Sequence, residues 1–235
     1  MSLKVALCLS GMPRDIHLTW PFFQKNLLSH YEVDIFGAFW TDPLNKDNHN
    51  EFPDRIHSHF TESEFINLCS PKVSKFIEFN HIFHDKLNEI NYKKLGLVGI
   101  EPIKNYHSLC MFFMIEQADR LRREYEKLLD RYDVVIRCRP DLYLENIPNL
   151  HNLNEKTVYM SKYITLPGFN DTCWWSTSNT ANLFTDLFTF FSQFDFSQIQ
   201  TKILEPEHII QIYLQINKIQ LSWTDDQQII TRFKK

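Results

Sequence analysis

A chain of 235 residues, 43% hydrophobic and 23% charged, can bury one large core and suits one domain or one domain with a small appendage. Its formal net charge of −4 and sequence pI near 6.2 argue against a nucleic-acid binder, whose phosphate contacts demand a basic surface. The cysteines, Cys8, Cys69, Cys110, Cys138 and Cys173, are odd in number and widely spaced, so they read as free, mostly buried thiols in a reducing compartment, not as a disulfide framework or zinc site.

The N-terminal MSLKVALCLSGMPRD has one lysine before an apolar run of about six residues and no small-residue cleavage site, so it reads as a first strand and not a signal peptide. Residues 3–10, LKVALCLS, form a compact apolar run ending at Gly11, the pattern of a strand in a sheet covered on both faces. After the turn GMPRD, the spacing predicts a helix over 16–30 in spite of Pro21, then a second apolar strand, EVDIFGAFW (32–40). Strand, turn, helix and strand open an α/β layer fold.

Residues 41–60, dominated by Asn, Asp, His and Pro, read as a loop. Its His57 and His59, and His81 and His84 beyond it, lack a partnering carboxylate pattern and read as exposed. Thr61 with Glu64 three residues on marks a capping box for a short helix over 61–68. SKFIEFN (74–80) is a third strand, and 81–103 fits either pattern. The clearest helix is 105–129, where Leu109, Phe112, Phe113, Leu121, Tyr125 and Leu128 supply an apolar face. DVVIRCR (133–139) follows as the central strand and TVYM (157–160) as a further one. A loop over 162–170 leads into DTCWWSTS and a helix over 179–194. Pro206 opens a helix over 207–217, QLSW (220–223) is a last strand, and DDQQIITRFKK is a polar, finally basic tail. No stretch approaches the roughly 20 apolar residues of a membrane helix, so the expectation is a soluble, cytoplasmic protein.

Two strand ends carry polar chemistry, SGMPRD at 10–15 and RCRPD at 137–141. In open α/β sheets, ligands bind beyond the carboxyl ends of the strands. Arginine offers a planar fork of donors that matches phosphate or carboxylate. Aspartate offers hard oxygen, suited to Mg²⁺ or Mn²⁺. Together they suit a substrate carrying a diphosphate and a metal, as nucleotide-sugars do. The competing reading is that Arg137 and Arg139, alternating with Cys138, share one strand face and pair with acids elsewhere, while Pro140 only ends the strand. There is no P-loop, no G-x-G-x-x-G and no G-x-S-x-G elbow. With only five glycines, diphosphate binding falls to arginines or a metal.

The set CLSGMPR (8–14), the helix carrying Ser108, YDVVIRCRPDLYL (132–144) and ND-x-x-x-W-S (170–176) resembles a family of small glycosyltransferase-like proteins of bacteria and large DNA viruses that make surface glycans. The resemblance spans about residues 3–217, and RCRPD is its most specific part. It implies a GT-A-like nucleotide-binding sandwich, with a central, mostly parallel sheet flanked by helices. It also implies sugar transfer from a nucleoside diphosphate sugar, UDP-sugar favoured, to a glycan acceptor. Residues 1–145 would form the nucleotide-sugar-binding part of one domain and 146–235 the acceptor side. For a viral protein the compartment would be the host cytoplasm.

Carried over residue by residue, the resemblance places Ser10, Gly11, Arg14 and Ser108 against the nucleotide, and Arg137 and Arg139 against the diphosphate. Arg139-Pro140-Asp141 looks like an Asp-x-Asp metal element with its first carboxylate replaced by Arg, which leaves Asp141 as the metal ligand for Mn²⁺ or Mg²⁺. Alternatively, Arg139 neutralises the diphosphate directly. His208 could complete a metal shell. Asp171 is the candidate general base for the acceptor hydroxyl, and Glu207 an alternative base or a sugar-hydroxyl partner. Trp174 and Trp175 could form an aromatic platform for the acceptor. Each has a plainer reading: a turn or helix cap for Asp171, core for the tryptophans, and a helix-dipole preference for Glu207. A catalytically inactive nucleotide- or glycan-binding module on the same fold is the alternative function. A nucleotidyl- or phosphotransferase ranks lower, because the paired acids such enzymes use for metals are not evident.

Overall fold

The computed structural model describes residues 3–13, 15–41, 60–78, 85, 102–129, 131–146, 148–161, 172–194, 206–224 and 230–231; for 102–108, 161, 206–208 and 230–231 it describes the backbone alone. Within these lies a seven-stranded sheet in the order β3-β2-β1-β4-β7-β6-β8. The strands are β1 (Lys4–Gly11), β2 (Glu32–Trp40), β3 (Val73–Ile77), β4 (Val134–Cys138), β6 (Thr157–Ser161), β7 (Cys173–Thr177) and β8 (Gln220–Thr224). All neighbours are parallel except β7, which runs antiparallel to both β4 and β6. A second, two-stranded sheet joins β5 (Tyr143–Leu144) to β9 (Ile230–Thr231). The expected α/β sandwich with a mostly parallel central sheet is thus what forms.

The apolar runs are continuous because both faces of the sheet are covered. On β1, Ala6 and Cys8 join the core under one face, whereas Val5, Leu7 and Leu9 join the other. The first face packs on α3 (Pro102–Glu126), α4 (Ser178–Phe184), α5 (Leu187–Gln193) and α6 (Pro206–Ile216). The second packs on α1 (Ile16–Phe23) and α2 (Glu62–Cys69). At Gly37, on this second face, an added Cβ would come within 2.6–2.8 Å of the Phe39 and Phe65 rings, so glycine there admits the aromatic packing. The expected capping box on α2 is present. The Glu64 amide donates to the Thr61 hydroxyl, and the Thr61 amide donates to the Glu64 carboxylate at 2.7 Å.

Several elements differ from the sequence reading. The long helix starts earlier and ends at Glu126, which leaves Leu128 78% exposed and not on the apolar face. The helix expected over 179–194 breaks at Thr185 and Asp186 into α4 and α5. CWWST, read only as the lead-in to a helix, is the strand β7 near the middle of the sheet. Its neighbours β4 and β6 supply the ladder that defines it, and no local pattern encodes those partners. Helix α1 continues past Pro21 and widens into a π-helical turn over Gln24–Leu28. Of the tail, Ile230 and Thr231 pair with β5.

Candidate functional site

From β1 the chain crosses to β2 and β3 on one side, then returns to lay β4 on the other side of β1. The strand order therefore reverses between β1 and β4, and such a switch point leaves a crevice at the carboxyl ends of the two strands. Leu9 lies opposite Cys138 in the parallel register, so SGM and RCRPD leave the sheet side by side. Two motifs 127 residues apart, bridged by Arg137 and Ser10, become one locus.

Ser10 and Arg137 project to the same face, since Arg137 pairs in register with Cys8. The Arg137 Nε donates to Ser10 Oγ at 3.2 Å, and both residues are 1% exposed. That corrects the expectation of Arg137 as an open diphosphate ligand: it underlies the site and orients Ser10. Gly11 ends β1 at φ 119°, a backbone conformation that side-chain-bearing residues rarely adopt, and it turns the chain out of the sheet.

Arg139 extends the β4–β7 ladder by one step, its amide donating to the Thr172 carbonyl at 2.9 Å. Pro140 has no amide to continue it. The Arg139 guanidinium folds forward onto Asp141, with Nε to Oδ1 at 2.9 Å and Nη2 to Oδ2 at 2.7 Å. This is the two-pronged geometry of a strong ion pair, and the side chains are 18% and 12% exposed.

The loop beyond is clamped to the first helix by side chains the sequence reading missed. Thr19 Oγ1 donates to the Pro140 carbonyl at 2.5 Å. Asn26, in the π-helical turn, donates to the carbonyls of Leu144 at 2.5 Å and Glu145 at 3.0 Å. Tyr31 adds a bond to the Pro148 carbonyl at 3.2 Å. Thr19 and Asn26 are 1% and 8% exposed. The available signal was a polar pair seven residues apart on the otherwise apolar face of IHLTWPFFQKNLL.

Trp174 and Trp175 are corrected outright. They are 1% and 0% exposed, because β7 lies inside the sheet and each indole enters a core on its own face. Trp174 meets Phe184 edge-on at 4.7 Å, and neither ring is open to a sugar. Arg14 and Asp171 lie outside the described residues, as do His57, His59, His81, His84 and the loops 42–59 and 162–170. Ser108 falls in the second turn of α3, and Glu207 and His208 in the first turn of α6; their side chains lie outside the described set.

All five thiols are free and buried. Burial pushes the Cys69 and Cys110 thiols up to about 12, and raises Cys138 well above its ordinary value beside Cys173 on the facing strand. They are packing groups at neutral pH. As for a metal, the described residues contain no group of three His, Cys, Asp or Glu side chains able to hold an ion. Both oxygens of Asp141 accept from Arg139. The side chain of His208, the other residue expected to hold Mn²⁺ or Mg²⁺, lies outside the described set.

A second charged cluster lies towards the start of β4. Arg122, 0% exposed, donates through Nε to Asp119 at 2.7 Å and through Nη1 to Glu126 at 2.7 Å and Ser178 at 2.9 Å, and through Nη2 to Asn182. Arg123 bridges Asp119 at 2.8 Å and Asp186 at 2.6 Å. Glu126 also accepts the Tyr132 amide at 3.1 Å. Burial raises the Asp119 carboxyl, while Arg122, Arg123 and the Thr185 hydroxyl pull it back down.

No helix among the described residues is long and apolar enough to cross a membrane. No family model and no curated protein matches the sequence. Solved structures of similar shape include the following. The apo-form glycosyltransferase GlyE of Streptococcus pneumoniae TIGR4 has 11% identity and a TM-score of 0.43, over 94% of this chain and 45% of that one. A second GlyE structure has 10% and 0.42, over 96% and 46%. Mouse xyloside xylosyltransferase 1, apo form, has 11% and 0.41, over 95% and 85%. The chain thus spans less than half the length of the GlyE chains. The α/β fold follows from the order and direction of the seven strands.

Proposed function

We propose that this protein is a GT-A-like glycosyltransferase, moving a sugar from a nucleoside diphosphate sugar, UDP-sugar favoured, to a glycan acceptor in surface glycan or glycoprotein synthesis. The observation that carries this reading is the meeting of SGM and RCRPD at the switch point between β1 and β4. It is the place an α/β sheet offers to a nucleotide, and it holds a guanidinium suited to a diphosphate.

In this reading the acceptor hydroxyl oxygen bonds to the anomeric carbon of the sugar. The bond from that carbon to the diphosphate oxygen breaks, and the nucleoside diphosphate departs. Arg139 stabilises the charge that grows on the leaving group. Ser10, Gly11, Arg14 and Ser108 border the nucleotide. Asp171 takes the proton of the acceptor hydroxyl, with Glu207 as the alternative base.

The test is a thermal-shift screen of purified protein against UDP-, GDP-, dTDP- and CMP-sugars, with and without Mn²⁺, followed by assay of nucleoside diphosphate release. A ligand that binds the native state alone raises the melting temperature. A shift with one nucleotide class and release of its diphosphate, lost in Asp171→Asn, is the expected result. The closed Arg139–Asp141 pair favours a second reading, a binding module without turnover. A shift without any release would select a nucleotide-binding module, and no shift with any donor would reject the transferase and leave the glycan-binding form of the module.

A further inference from the structure

Arg139 and Asp141 flank a proline, so their mutual fork is built from adjacent side chains on a short loop. The backbone on both sides is anchored, by the Arg139 amide on Thr172, by Thr19 on the Pro140 carbonyl and by Asn26 on Leu144 and Glu145. The loop is held, and separation of the pair falls to side-chain rotation. The two carboxylate oxygens occupy Nε and Nη2 of the guanidinium at 2.9 and 2.7 Å, the arrangement two phosphoryl oxygens adopt on an arginine. At 18% and 12% exposure the pair borders solvent.

We infer that Asp141 is an internal placeholder for the donor diphosphate: it occupies Arg139 in the free protein and yields it to the incoming anion. This inference rests on the proposed donor class but differs from the expected role of Asp141. A metal ligand must be kept for the donor to bind, whereas a placeholder competes with the donor. The two roles therefore predict opposite signs for one substitution. A carboxylate in competition weakens anion binding, so its removal strengthens it.

The experiment is calorimetric titration of wild type, Asp141→Asn, Asp141→Ser and Arg139→Gln with inorganic pyrophosphate and with UDP, GDP and dTDP. Each is run in EDTA and again with Mn²⁺, and melting curves with and without pyrophosphate confirm folding. The expected result is binding in EDTA about tenfold tighter in Asp141→Asn than in wild type, the scale of one charge-assisted hydrogen-bond partner released. Pyrophosphate should also raise the melting temperature more in that variant, and Arg139→Gln should lose the affinity. Asp141→Ser gives the same comparison if the Asn variant fails to fold. Binding by wild type that needs Mn²⁺ and disappears in Asp141→Asn or Asp141→Ser overturns the inference and leaves the donor class standing. No binding of any nucleotide to wild type in either buffer overturns the donor class, and the inference with it.

Discussion

Strand β4 is flanked by arginine–carboxylate chemistry at both ends. Near its start, Arg122 is wholly buried and is held by Asp119, Glu126, Ser178 and Asn182, groups drawn from α3 and α4. Just past its end, Arg139 holds Asp141 from two residues away and the pair borders solvent. Residue types are the same in the two places. The guanidinium's access to water differs, 0% exposed in the first and 18% in the second. A buried arginine gripped from several directions ties helices together and cannot change partners without unfolding the region. An arginine gripped by a near neighbour at a strand end can exchange that partner for a ligand.

The sharpest way to break this contrast is Arg122→Met. It removes the buried cation that Asp119 and Glu126 share and should cost about 3–5 kcal/mol in urea unfolding. A loss below 1 kcal/mol would show that the first cluster is as exchangeable as the second. Thr185→Val removes the 2.6 Å bond to Asp119 and should cost about 1–3 kcal/mol by the same measurement.

Arg139→Gln should cost only about 1 kcal/mol, because the lost bonds lie close to solvent. Its donor turnover should nevertheless fall on the order of a hundredfold, the effect of losing one group that stabilises leaving-group charge. A large stability loss with unchanged turnover would move Arg139 into the structural class.

The smallest effect belongs to an exposed cap remote from both clusters. Thr61→Ala should cost about 0.5–1 kcal/mol at neutral pH. The Thr61 backbone amide, and then its hydroxyl, hold the Glu64 carboxyl below the usual carboxylate range. A depressed folded-state pKa means the contribution is present above the unfolded value and fades as pH falls through the folded one. The difference in melting temperature between wild type and Thr61→Ala should accordingly shrink in acid. A gap that widened there would contradict the assignment.

Strands β1, β2 and β4, the α2 capping box and the polar strand ends were legible in the residues, because each follows from a local rule: continuous apolar runs for strands covered on both faces, a Thr and Glu three apart for a cap, polar residues where an apolar run stops. The sequence by itself therefore determined an α/β sheet with chemistry at two strand ends. Tertiary structure alone decided that these ends are neighbours, since strand order is a long-range choice. It turned Trp174 and Trp175 into core by inserting β7 between β4 and β6, and it buried Arg137 beneath Ser10 while leaving Arg139 at the edge. It also recruited Thr19 and Asn26 to hold a loop more than a hundred residues away. Burial and hydrogen-bond partners belong to the packed chain, because the groups that desolvate a side chain come from elements that no local pattern specifies.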